Sequence, residues 1–185
     1  MISFYVSPLI MNRYKKRAKI CAIIGVIAIT IISSLLHFGF EFFGKIKWTA
    51  IVFAVNESVW EHLKIGFFAA LIYYILEYFI YGNKFTNFFP AKVIDLLLIP
   101  FLTALFFYGY TYFLDDNLIL DIMTLVLSII IAQIVGYKIT LSKKKLPNRI
   151  FLITLIILLI IFPLFTFYPP KINLFYDFAH KRYGI

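Results

Sequence analysis

VNESVWEHLK, residues 55–64, interrupts a chain that is otherwise dominated by Ile, Leu and Phe. Two glutamates, a histidine and a lysine fall between the apolar stretches WTAIVFAV (48–55) and IGFFAALIYYILEYFIYG (65–82). Ionisable groups are expensive beside lipid, and where they occur they face protein or a wet cavity. The flanks therefore decide the fold class, and the charges inside pose the functional question.

The composition agrees with the flanks. Of 185 residues, 63% are hydrophobic and only 15% are charged, against about half and a quarter in soluble domains. That much apolar surface marks an all-α integral membrane protein, read as a single membrane domain over 1–185. Five stretches approach the roughly 20 residues needed to cross the hydrocarbon core: 18–42, 58–81, 91–114, 117–140 and 149–168. The piece 48–55 is too short to span and reads as a re-entrant or interfacial segment after the first span. No soluble catalytic domain fits, so any chemistry falls to spans and short loops. Cys21 is the only cysteine, which excludes an intrachain disulfide and a Cys-rich metal site. In MISFYVSPLIMNRYKKRAK the basic cluster follows the apolar residues, the reverse of a signal peptide, so the first span is expected to be retained. The net charge of +9 suits anionic lipid at a membrane surface rather than nucleic acid.

Lys and Arg sort to one side of a five-span chain. Arg13, Lys15, Lys16, Arg17 and Lys19, then Lys84 and Lys92, then Lys143, Lys144, Lys145 and Arg149 fall together. The positive-inside rule then expects a multi-pass protein of the plasma (inner) membrane, with a cytoplasmic N-terminus and an extracytoplasmic C-terminus. The opposite end collects Glu41, Glu57, Glu61, Asp115, Asp116, Asp121 and Asp177 with all three histidines, His37, His62 and His180.

Helical spacing arranges these groups. Ser58 and Glu61 fit a capping box at the start of the second span, with Asn56 as an alternative cap. Lys64, Glu57, Glu61, Ser58 and His62 then share one arc, and Trp60 lies on the other, expected to face lipid or the interface. Thr30, Ser34, His37 and Glu41 form a stripe on the first span, and Asp121, Thr124 and Ser128 form one on the fourth. Three stripes at one depth suggest a shared cavity. The fifth span has almost no polar residue before Thr166 and reads as lipid-facing. After Pro169-Pro170 stops the helix, the tail 169–185 carries Ile172, Leu174, Phe175, Tyr176, Phe178 and Tyr183. It is too aromatic for disorder. It is expected to dock over the outer mouth and bring Asp177 to the other carboxylates.

NESVWEHLK (56–64), HFGFEF (37–42) and FTFYPPKINLFYDF with the terminal YGI resemble a family of small, uncharacterised bacterial multi-pass membrane proteins, a domain of unknown function. The resemblance covers essentially the whole chain. It implies His37, Glu41, Asn56, Glu57, Ser58, Trp60, Glu61, His62, Pro170, Asp177 and Tyr183 as signature positions. Phe40 stands where that pattern often has an aromatic hydroxyl, and Ala54 where it often has proline. The family carries no activity over.

The residues leave several chemistries open. His37, Glu41 and His62 offer nitrogen and oxygen ligands to a divalent transition metal such as zinc. Glu57 or Glu61 would act as general base and Asn56 would donate to a developing oxyanion. A metal-assisted hydrolase or transferase acting on a lipid-linked substrate follows from that set. Without a metal, Ser58 lies four residues before His62 and could be a nucleophile, although a capping role is the simpler one. A third reading is a substrate-binding or transport subunit for a small cation or amine. The plain structural account has Glu57 and Glu61 at a helix start, where negative charge gains roughly 0.3–1 kcal/mol, with Lys64 paired to Glu61 and a His–Glu hydrogen-bond network between helices. The oligomeric state is not legible from the sequence.

Overall fold

The computed structural model describes residues 8–185. The reading of the N-terminus as a retained segment rests in part on residues 1–7, which lie outside them. Among the described residues, five helices are long and apolar enough to cross a membrane: α1 (Pro8–Phe42), α2 (Val59–Ile80), α3 (Phe88–Thr111), α4 (Leu118–Thr140) and α5 (Asn148–Phe167). The chain is a five-helix membrane protein.

The boundaries follow from local chemistry. Helix α1 begins ten residues before the apolar stretch does, because Met, Arg, Lys and Ala are good helix formers. Its 35 residues span about 52 Å, so the basic turns run past the roughly 30 Å hydrocarbon core. Helix α3 starts three residues earlier than hydropathy suggests. Pro90 lies in its first turn, where a missing N–H leaves no hydrogen bond unmade. Asn117 caps α4 by accepting from the N–H groups of Ile119 and Leu120 at 2.9 and 3.3 Å. Ser58 occupies the N-cap position of α2, but its hydroxyl makes no capping bond. The anticipated capping box is replaced: Asn56 Oδ1 accepts from Ser58 N–H at 2.9 Å, and Glu61 Oε2 reaches back to Val55 N–H at 3.1 Å.

The helices alternate in direction, so the ends of α1, α3 and α5 meet the starts of α2 and α4. Helix α2 is the central element, in contact with α1, α3 and α5 and the most buried of the five. Helix α5 buries only Phe162 and Thr166, as its lack of polar residues foretells. Gly44, in the left-handed region at φ 69°, closes α1. A 3₁₀ turn, Lys47–Ile51, follows. The chain then turns back into the bundle, where Ala54 N–H donates to Leu36 O at 3.3 Å. Leu36 lies six residues, or about 9 Å, below the end of α1. This connection is the short segment expected between the first two spans. At the C-terminus β1 (Tyr176–Asp177) pairs antiparallel with β2 (Arg182–Tyr183), and this hairpin packs at the same end.

Candidate functional site

His37, five residues from the end of α1, and His62, in the first turn of α2, face one another with 3.2 Å between their Nε2 atoms. Glu57, in the connection just before α2, brings Oε2 to 3.3 Å from His37 Nε2 and 3.6 Å from His62 Nε2. Three donor atoms from three chain segments therefore converge on one point. His62 Nδ1 lies 2.9 Å from Ser58 O. A carbonyl only accepts, so Nδ1 carries a proton and Nε2 is the atom turned to the cluster. His37 holds the Glu57 carboxyl below its ordinary range by hydrogen bonding, against the opposing effect of partial burial.

Glu61 and Lys64, on either side of His62 in the chain, form a separate buried ion pair. Lys64 Nζ is 2.6 Å from Glu61 Oε2, and neither side chain reaches solvent. Lys64 also donates to Ala50 O at 2.8 Å and to Thr166 Oγ1 at 2.9 Å. The Thr166 hydroxyl lies 2.7 Å from Glu61 Oε1. Every strong group here is occupied, so Glu61 is a structural carboxylate that ties α2 to α5 and to the 3₁₀ turn. Trp60 is likewise internal. Its indole packs on Phe162, Phe165 and Phe175 at centroid distances of 4.9, 5.5 and 4.8 Å, which overturns the lipid-facing expectation. A side chain opposite the polar arc meets lipid only on a peripheral helix, and α2 is central.

The tail docks on this construction. Asn56 Nδ2 donates to Gly184 O at 2.8 Å, and Arg182 donates to Val55 O at 3.2 Å. Asn56 thus ties the start of α2 to the tail through one of its two amide hydrogens. Asp177 is fully buried and is held by the N–H groups of Ala179 and His180, both at 3.0 Å, and by His180 Nδ1 at 2.8 Å. Burial opposes its ionisation, but the His180 hydrogen bonds outweigh that, and its carboxyl stays below the ordinary range. Its charge acts on Glu57, which fits the expected approach to the other carboxylates. Tyr183 packs against Tyr176 with ring centroids 4.9 Å apart and the planes tilted by 55°. A cavity of about 510 Å³ opens beside the cluster, lined by His37, Glu57, Asn56, Glu41, His180 and Arg182 among others.

Two sequence-based candidates stand apart. Glu41 borders the cavity, but its side chain is exposed and pairs with Lys45 at 3.0 Å, while Glu57 takes its place beside the histidines. Asp121 bonds the Tyr110 hydroxyl of α3. Among the described residues no hydrogen bond or ion pair joins it to the histidines. Thr30, Ser34, Thr124 and Ser128 each donate to a carbonyl of their own helix, a common way to satisfy a hydroxyl in a span. Sequence reasoning missed Thr166 as a partner of Glu61. It also missed a cluster at the opposite end, Glu77, Lys92 and Asp95. Their signal was present, since charges at depth in apolar helices need one another.

The chain belongs to a family of unknown function (DUF6512), whose model matches residues 10–185. No curated protein and no solved structure matches it.

Proposed function

We propose that His37, His62 and Glu57 bind a divalent transition metal of the zinc type, and that the protein is an intramembrane metal-assisted hydrolase or transferase acting on a lipid-linked substrate. The observation that carries this reading is the spacing of the donor atoms. Zinc–nitrogen and zinc–oxygen bonds of about 2.0–2.2 Å at tetrahedral angles set ligand atoms about 3.3–3.6 Å apart. The trio stands at 3.2, 3.3 and 3.6 Å. The proton on His62 Nδ1, held by Ser58 O, is the outer hydrogen bond that orients a metal-ligating imidazole. Three protein ligands leave a fourth position for water or substrate, the mark of a catalytic rather than a structural site.

When bound, the metal supplies Lewis-acid polarisation of an ester or phosphoryl oxygen and lowers the pKa of water. The chain's own residues do the rest. Arg182 and His180 at the cavity wall suit an anionic headgroup. Glu61 and Lys64 keep the start of α2 rigid, so that His62 does not drift from His37. Ser58 serves through its carbonyl and not as a nucleophile. The loop charges favour placing this cavity at the extracytoplasmic leaflet of the plasma membrane.

Elemental analysis of the purified chain tests the reading. Roughly stoichiometric zinc or a similar metal is expected, lost from His37→Ala, His62→Ala and Glu57→Gln, and retained by Glu41→Gln. The double histidine variant should fare little worse than either single one, because ligands of one ion act as a unit. Background metal in wild-type protein, purified without chelator and reconstituted with zinc, would overturn it.

A further inference from the structure

A second charged cluster lies at the opposite end of the bundle, and the histidine site makes no use of it. Lys92 of α3 places Nζ 2.7 Å from Glu77 Oε2 of α2 and 3.4 Å from Asp95 Oδ2, one turn along its own helix. Gln133 of α4 accepts from the same ammonium at 3.3 Å. Glu77 and Asp95 are 0% exposed, Gln133 2% and Lys92 4%. With all three ionisable groups charged, this buried pocket carries an uncompensated negative charge. Isolated buried charges are not tolerated and neutralise instead.

The polar inventory points the same way. Asp95 Oδ1, Glu77 Oε1, Gln133 Nε2 and the Tyr74 hydroxyl are buried without hydrogen-bond partners. Tyr74 faces Asp95, and its ring lies 4.3 Å from Lys92 Nζ. Tyr74 can donate to an ionised Asp95 or accept from a neutral one, so the place of the proton is set by the ammonium, from which Asp95 is the more distant carboxylate. Glu77 is the closer partner of Lys92 and forms the ion pair. Other groups do not supply the missing charge. On α1, Cys21 is a buried thiol, and Arg17 stacks over Tyr14 at 5.5 Å. On α2, Tyr73 donates to Cys21 O at 2.7 Å, and Tyr81 is a second phenol near Glu77. A metal cation is disfavoured, because the ammonium already occupies the centre of the oxygen set and hard cations need six or more oxygens.

We propose that Glu77, Lys92 and Asp95 form a buried proton-binding site, with the ion pair between Glu77 and Lys92 and the proton on the carboxyl of Asp95. Gly136 of α4 makes the room for it: an added Cβ there would strike the Asp95 carboxyl. A buried carboxyl shared across three helices is the arrangement by which membrane chains hold a proton away from water.

Infrared spectroscopy of the full-length protein in lipid nanodiscs at neutral pH tests this. Wild type should show the carbonyl band of a protonated carboxyl, shifting in D₂O. Asp95→Asn should lose the band, whereas Glu57→Gln at the histidine site should keep it. Stability supplies an independent reading. Asn mimics the neutral acid, so Asp95→Asn should melt within about 2 °C of wild type, while the double variant Glu77→Gln with Asp95→Asn, which leaves Lys92 no carboxylate, should fall by roughly 10 °C. The proposal is overturned if wild type lacks the band, or if the band survives in Asp95→Asn. It is also overturned if the two variants are equally destabilised, or if sodium raises the melting point where choline does not.

Discussion

Two side chains of the NESVWEHLK segment, four residues apart, have opposite fates. Glu57 stays half exposed at a cavity, whereas Glu61 is sealed against Lys64. Removing one partner of a sealed pair leaves a buried charge, which costs about 3–5 kcal/mol. Glu61→Gln or Lys64→Met should therefore each abolish well-folded protein in a detergent melting assay. The pair Glu61→Gln with Lys64→Met should recover much of the loss, and a double variant as unstable as the sum would contradict the ion-pair account. Acid should act elsewhere. Glu57 and Asp177 both ionise more readily in the folded chain than in the unfolded one. Their contribution is thus fully present above about pH 4 and is lost as pH falls through the folded values. Undocking of the tail would uncover Trp60 from Phe175, so the Trp60 emission, with Trp48 replaced by Phe, should shift red on acidification. Asp177→Asn should remove that transition and start from a looser tail. A wild-type emission unchanged by acid would exclude a role for these carboxylates in docking.

Among the elements, α1 and the connection after it set the distance between the histidines. Gly39 lets that connection lie close, since an added Cβ would run into the Phe53 ring. Overpacking of this kind costs about 1–3 kcal/mol. Gly39→Ala should therefore push the loop away, weaken metal retention at His37 and leave the helices inserted. Intact metal affinity in that variant would mean that the loop does not position Glu57. The tail is a working element too. Trp60→Ala removes the aromatic hub under it and should lower stability by about 3–5 kcal/mol. Truncation after Tyr168 should give a chain that inserts but does not retain the ion, because Asn56, Val55 and Trp60 lose their partners.

For the complete bundle, the distribution of Lys and Arg makes a prediction that requires no structure. A single cysteine in the tail, in a Cys21→Ala background, should react with an impermeant thiol reagent on intact cells, and one replacing Lys144 should not. The reverse labelling would place the histidine site on the cytoplasmic side. Helix number, helix order and the collection of the histidines and most of the carboxylates at one end, with Glu77 and Asp95 at the other, were all legible in the sequence. They depend on local hydropathy and on alternation of direction, which need no knowledge of neighbours. The facing of His37 and His62 was legible as well, because a short connection forces two antiparallel helices to meet at equal depth. Which carboxylate would join them was not. Glu41 has the better helical register with His37, but it points out to Lys45, and Glu57 enters from a loop whose path depends on Gly39, Phe53 and Leu36. Trp60 and Thr166 were misjudged or missed for the same reason. Periodicity reports which residues share a face of a helix. It does not report whether that face meets lipid or another helix, and only the central position of α2 decided that.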